Sequence, residues 1–179
     1  MSARRIAVVT STRADYGLLQ SVMRGIAAEP ALALQVVATG MHLSPEFGLT
    51  VRAIEADGFT VDARVEMLLS SDSPVGIAKS IGLGTIGFAD AFARLSPDLV
   101  LYLGDRFEIL AAAQAALVAR IPAVHLAGGD TTEGAYDEQT RHALTKLSHV
   151  HLVTHEESAR RVRQMGENPA HVHVVGSPG

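Results

Sequence analysis

The stretch LVLYLGDRFEILAAAQAALVARIPAVHLAGGD, residues 99–130, decides the fold. It opens on an apolar run, breaks at Gly104-Asp105, continues through an alanine-rich segment at helical spacing, and closes on a second apolar run before Gly128-Gly129. Strand, helix, strand with short links is the pattern of a parallel crossover, because a parallel neighbour is reached only through a connection long enough to return the chain. Read outward, the unit repeats. Short β-branched runs at 6–10, 34–39, 61–67, 150–154 and 172–175 alternate with helical stretches at 16–28, 45–56, 74–94, 138–147 and 156–165. The reading is α/β: a doubly wound, Rossmann-like parallel sheet with helices on both faces.

Composition sets the bounds. A chain of 179 residues suits one domain, and 15 Lys plus Arg against 19 Asp plus Glu leave a net charge of −4, with no basic excess to hold a nucleic-acid backbone. Hydrophobic residues at 47% with aromatics at only 4% predict a core of Ala, Val, Leu and Ile. No cysteine is present, which excludes disulfides, thiolate metal sites and cysteine nucleophiles. The short apolar run after Arg5 is too brief for a signal-peptide core or a membrane span, so the expectation is a cytoplasmic protein with no membrane partner.

Local chemistry predicts several boundaries. Ser44-Pro45 and Ser73-Pro74 each put a capping hydroxyl ahead of a proline at a first helical position, whereas Gly58, Gly166 and Ser96-Pro97 mark helix ends. Residues 1–175 read as one N-terminal Rossmann-like domain. Gly176-Ser177-Pro178-Gly179 has the composition of the start of an interdomain linker, with a C-terminal domain absent.

Gly82, Gly84 and Gly87 fit the dinucleotide pattern G-x-G-x-x-G, with Asp105 about twenty residues further on. The context is wrong: a strand should precede the first glycine, and here a helix starting at Pro74 runs into it. These glycines read as a place where a helix packs closely.

In an open α/β sheet ligands bind beyond the carboxyl ends of the strands, and those positions are polar here. Arg13 follows the first strand, where it either clamps a phosphate or pairs with Asp15. Asp105 follows the fourth strand, either as a proton acceptor or as the cap of the next helix. Asp130, Glu133, Asp137 and Glu138 crowd the loop after the fifth. Carboxylates converging on one pocket shift each other's protonation and can supply an acid and a base without metal or cysteine, though Asp137 could equally cap the helix bearing Arg141 and His142. The spacing of His149 with His151, and of His171 with His173, lacks the acidic partners of a metal site, so no metal is expected. Arg160, Arg161 and Arg163 read as a solvated helix face.

At these strand ends the sequence resembles the hydrolysing UDP-N-acetylglucosamine 2-epimerases of sialic and related nonulosonic acid synthesis. The resemblance rests on TSTRADYGLL at 10–19, TGMHLSPEFG at 39–48, the segment 82–113 containing GDRFE, and HLAGGDTTEGAYDEQTRHALTKLSH at 125–149. It implies a two-domain architecture like that of GT-B glycosyltransferases, of which this chain looks like the N-terminal half. It also implies a reaction without a cofactor: anti-elimination of UDP from a UDP-sugar, then hydration to the free sugar with inverted C2, such as N-acetylmannosamine. Asp105 and Asp137 match acids implicated in catalysis, and Asp130 and Glu133 join them as candidates. Arg13 and His42 match residues of the nucleotide-sugar site, which Arg106, Glu138, Arg141 and His142 extend. Relatives of this kind also resemble homodimers. One departure stands out: some relatives carry Glu where this chain has Ala127, so Asp130 or Glu133 supplies that carboxylate or the proton transfers are arranged differently. Two other readings fit the same residues, a non-catalytic nucleotide-sugar-binding module and a GT-B glycosyltransferase domain.

Overall fold

The computed structural model describes residues 3–132 and 136–178. Seven parallel strands, β1 (Arg4–Thr10), β2 (Leu32–Thr39), β3 (Val61–Val65), β4 (Leu99–Leu103), β5 (Ala123–Leu126), β6 (Val150–Val153) and β7 (Val172–Val174), lie in the order β3-β2-β1-β4-β5-β6-β7. The crossover helices are α1 (Arg13–Ala28), α2 (Val51–Ala56), α3 (Pro74–Leu95), α4 (Phe107–Val118), α5 (Asp137–Leu147) and α6 (Glu156–Gln164). This is the doubly wound, Rossmann-like sheet that the alternation predicts.

Period-two alternation divides the core between the faces. Ala7, Val9, Val37, Val100 and Tyr102 meet α3, α4 and Leu144 of α5, while Ile6, Val8, Val36, Ala38 and Leu101 meet α1 and α2. Both faces of the central strands are covered, which is why they read as unbroken apolar runs. From β1 the chain winds one way across the sheet, and from β4 it winds the other. The crevice between their carboxyl ends is therefore the switch point at which such sheets bind ligands.

The caps at Ser73 and Ser96 behave as their residues predict. Ser73 Oγ accepts the Gly76 N–H at 3.1 Å, and Ser96 ends α3 in a left-handed conformation. Gly84 and Gly87 do face close neighbours, Met67 with Ala111 and Val65, whereas Gly82 faces open space. Among the described residues α3 is the one helix whose length and composition would allow it to cross a membrane, yet its Phe88, Ala91 and Phe92 are buried in the core. The 45–56 segment departs from expectation. It is not one helix: a 3-10 turn, Pro45–Phe47, preceded by another at Gly40–Leu43, leads to a left-handed Gly48-Leu49 pair, and only then does α2 begin. Ser44 stands at the cap position of the second 3-10 turn but makes no side-chain cap, and Gly48 ends that turn in a left-handed conformation.

Candidate functional site

The turn from β1 into α1 is built around a buried carboxylate. Thr12 and Asp15 form a reciprocal capping box. Asp15 also accepts the Ser11 N–H at 3.0 Å, the Ser11 hydroxyl at 2.6 Å and the hydroxyl of Thr10. Having donated to Asp15, Thr10 accepts from His42 Nε2 at 2.9 Å, and His42 Nδ1 accepts the Thr50 hydroxyl at 2.7 Å. His42 is thus buried, neutral and engaged at both nitrogens. Burial holds its pKa below the usual histidine value, with the nearby Asp15 charge pulling the other way. Any influence of His42 on a ligand runs through Thr10 and Asp15. Arg13, the first residue of α1, is exposed; the pairing with Asp15 considered above does not form, and Arg13 has no partner among the described residues.

A second cluster lies beyond β4, β5 and β6. Asp105 does not cap α4, since Arg106 holds the cap position without a side-chain bond. Its carboxylate instead receives Arg141 of α5 in an ion pair, and Arg141 Nη1 lies 3.9 Å from Asp130 Oδ2. Asp130 accepts the hydroxyls of Thr154, at 2.7 Å, and of Ser158, and His155 Nε2 is 3.7 Å from it. Asp137 opens α5 one turn before Arg141, on the same helix face, and does not act as the cap, which is Tyr136. Next to it Glu138 pairs with His142 at 3.5 Å. Two buried nitrogens at this end of α5, Arg141 Nε and His142 Nδ1, have no partner among the described residues. Glu133 lies outside the described residues.

Arg106 forms a fork on Glu108, 3.1 Å from Nε to Oε2 and 2.7 Å from Nη2 to Oε1, and Glu108 is fully buried. Burial works against the charge on Arg106, and Glu108 more than restores it. The pair is packed under the turn after β2: Gly40 has φ +57, and a Cβ there would lie 3.0 Å from Glu108 Oε1 and 3.1 Å from the Ser11 carbonyl. A third device positions Asp105 itself. His125 is fully buried and donates through Nε2 to the Gly104 carbonyl at 2.7 Å, while its Nδ1 lies 3.2 Å from the Thr145 hydroxyl, which also reaches the Arg141 carbonyl at 3.1 Å. Burial pushes its pKa down to about 4. Ala127, just after β5, takes a left-handed φ of +59.

Asp105, Asp130 and Arg141 are therefore brought together, Asp137 shares their helix face, and Arg13 and His42 stand on the β1 side of the crevice. Asp15, Glu108 and His155, which also follow strands and so fall among the polar strand-end positions, belong to the same constellation, but the sequence assigns them no role. The Thr12-x-x-Asp15 capping spacing marks the part played by the first, whereas nothing local marks those of the other two. The paired histidines gather no metal set: His149 Nδ1 accepts the Ala123 N–H at 3.2 Å, and His151 Nε2 lies 3.1 Å from Glu167 Oε2. Among the described residues no group of three His, Asp or Glu side chains could hold a metal.

The chain as a whole is similar to known proteins. A curated relative from Campylobacter jejuni, a GDP/UDP-N,N'-diacetylbacillosamine 2-epimerase of the hydrolysing type, is 44% identical over 177 residues, 99% of this chain and 46% of its own. A UDP-N,N'-diacetylbacillosamine 2-epimerase from Legionella pneumophila is 44% identical over 98% of this chain and 46% of its own. The chain thus spans about half the length of the curated relatives it matches. In fold it is similar to the Neisseria meningitidis UDP-GlcNAc 2-epimerase bound to UDP-GlcNAc, with a TM-score of 0.85 at 20% identity over 97% of this chain and 47% of that one. More distantly it is similar to half of the calicheamicin glycosyltransferase, with a TM-score of 0.53 at 17% identity over 99% of this chain and 52% of that one. The family model described as UDP-N-acetylglucosamine 2-epimerase matches residues 24–179, and the chain belongs to that family.

Proposed function

We propose that this chain is the N-terminal half of a hydrolysing 2-epimerase that takes a UDP-linked 2-acetamido sugar to UDP and the C2-inverted free sugar. The observation that carries this reading is Arg141, which spans Asp105 and Asp130 at the carboxyl ends of the strands and keeps an unpartnered buried Nε beside them. A fixed guanidinium among carboxylates suits proton transfer next to a developing negative charge.

In the proposed reaction a carboxylate takes the C2 proton, the C–H electron pair becomes the C1=C2 double bond, and the C1–O bond breaks with its electrons leaving on UDP. Water then adds to C1, giving up a proton to a carboxylate, while a carboxylic acid delivers a proton to C2 from the opposite face. Asp137, with no partner among the described residues, and Asp105, aimed by Arg141, are the proton-transfer groups. Asp130, already accepting two hydroxyls, is a positioning residue. Arg13 at the N-terminus of α1 suits the diphosphate. The acids need a second wall to exclude water and fix the sugar, so the 179-residue chain alone is expected to turn over little substrate. Leu83 and Ile86 of α3, and separately Leu117 and Val118 of α4, are exposed apolar side chains, and either pair suits a contact in the expected homodimer.

The test is turnover in heavy water by the protein expressed from its complete natural reading frame. Elimination and rehydration place solvent deuterium at C2 of the product. Product without deuterium at C2, or with C2 retained, refutes the mechanism and leaves the carboxylates a binding role at most.

A further inference from the structure

Among the described residues α5 buries only Thr140, Leu144 and Thr145, so Leu144 is its one fully buried apolar side chain. Two hydroxyls pin the helix to the sheet as well. Ser148, just past its end, donates to the Leu144 carbonyl and accepts from the Tyr102 hydroxyl of β4, both at 2.7 Å. The Thr145 hydroxyl lies 3.1 Å from the Arg141 carbonyl and 3.2 Å from Nδ1 of His125 on β5. Thr145 and His125 are both fully buried, so water cannot stand in for a bond lost between them. The Gly104 carbonyl can only accept, which puts the proton of the neutral His125 ring on Nε2 and makes Nδ1 an acceptor. The single proton of Thr145 therefore serves two acceptors, His125 Nδ1 and the Arg141 carbonyl.

These bonds close a ring. From Asp105 it runs back to the Gly104 carbonyl, through the His125 ring to the Thr145 hydroxyl, on to the backbone of Arg141, and out along the Arg141 side chain to the Asp105 carboxylate. Gly128 sits on the same pair. A Cβ there would lie 2.9 Å from His125 Nδ1 and 3.0 Å from Thr145 Oγ1, so the loop that presents Asp130 two residues later rests directly against it. One buried contact thus joins the backbone before Asp105, the backbone of Arg141 and the loop before Asp130. The Ser148–Tyr102 bond is also buried but lies outside the ring.

We propose that Thr145 and His125 are positioning residues for the acid cluster, a hub that sets where Asp105, Asp130 and the Arg141 guanidinium stand relative to one another. Being fully buried, they touch no substrate and act only through the groups they hold. The inference rests on the epimerase reading above and gives that reaction two residues remote from the reacting carbon. A displacement of about 1 Å at a reacting centre can cost about 10²-fold in rate. With Leu144 as its one fully buried apolar anchor, α5 can shift that far when the Thr145 hydroxyl is lost.

The experiment measures kcat, KM and Tm of the protein from its complete reading frame and of its variants Thr145→Val, Thr145→Ser and Ser148→Ala. The substrate is UDP-N-acetylglucosamine or the UDP-linked 2,4-diacetamido-2,4,6-trideoxy sugar, whichever the parent turns over. Valine keeps the shape of threonine without its hydroxyl, so Thr145→Val is expected to lower kcat by about 10- to 100-fold with KM within about 3-fold of the parent. Thr145→Ser restores the hydroxyl and should stay within about 3-fold of the parent in both. Ser148→Ala removes a buried hydroxyl outside the ring; it should lower Tm yet leave kcat within about 3-fold of the parent. If Thr145→Val does not fold, Gly128→Ala, which removes no hydrogen bond and only crowds the pair, is read in the same way. A parental kcat in the folded variant, a loss confined to KM, a loss that serine does not relieve, or an equal loss of kcat in Ser148→Ala overturns the hub and leaves the epimerase reading standing. A parent that turns over neither sugar overturns both.

Discussion

Replacing Gly82 and Gly84 by alanine, one at a time, separates the packing role of the α3 glycines from a nucleotide-binding one. Alanine in place of glycine inside a helix gains about 0.8–1.0 kcal/mol. At Gly82 a Cβ meets nothing within 4 Å, so Gly82→Ala keeps the whole gain. For a chain of this size that raises Tm by about 2–4 °C. At Gly84 the added carbon would lie 2.7 Å from Met67 Cε, 2.9 Å from Met67 Sδ and 2.9 Å from Ala111 Cβ. The methionine end can turn aside, but it is buried, and the alanine carbon moves only if α4 moves. Overpacking of this kind costs about 1–3 kcal/mol. The same propensity gain offsets part of it, leaving Gly84→Ala about 1 kcal/mol less stable than the parent and about 2–4 °C lower in Tm. Urea or thermal unfolding followed by circular dichroism reads both signs. Equal shifts at the two positions would refute the packing account, and a nicotinamide dinucleotide that binds the parent but neither variant would return these glycines to the dinucleotide reading.

Three further outcomes follow from the site. His125 has a folded pKa of about 4 against an unfolded value near ~6.5, so its contribution is fully present above about pH 6.5 and is lost as pH falls toward 4. That amounts to about 3 kcal/mol; unfolding free energies measured across this window should show the slope, and His125→Gln should flatten it. In the protein from its complete reading frame, Asp105→Asn is expected to lower kcat by about 10²- to 10⁴-fold and also to lower Tm, because Arg141 loses its charged partner; activity within a few-fold of the parent would show Asp105 to be structural. Arg13→Ala should leave stability within about 0.5 kcal/mol while raising KM for the nucleotide sugar, a split that a structural arginine would not produce.

How much of this was legible in the sequence depends on the range of the interaction. The strands were legible because a doubly covered parallel sheet needs unbroken apolar runs, and β4 and β5 appear with the bounds that their apolar residues suggest. The start of α3 was legible because Ser73-Pro74 carries its cap within three residues. The 45–56 stretch misleads for a matching reason: apolar spacing continues through Gly48, and helical periodicity does not register that Gly48 and Leu49 both go left-handed. Candidate residues after the strands were recoverable from topology, but their roles were not. From its position alone Asp105 is equally a cap or an acid, and what separates the two is Arg141, 36 residues away in sequence. Glu108 reads as an ordinary first-turn acid of a helix, and only the fold shows it buried beneath Gly40.

The two halves of the site also differ in how they hold charge, and that difference bears on their tasks. Asp15 is buried without a cationic partner, stabilised by backbone N–H groups, hydroxyls and the N-terminus of α1. Such a carboxylate has no spare lone pair to offer a substrate, and His42, neutral and bonded at both nitrogens, locks it from below. The product of that arrangement is a stiff turn that directs Arg13 outward, which suits holding an anion that does not change during the reaction. On the other side Arg141 is shared by two carboxylates and keeps an unpartnered nitrogen beside them. On the proposed reading the two sides divide the work: the diphosphate stays anionic beside the stiff turn, while protons pass between carbon and the carboxylates of the acid cluster.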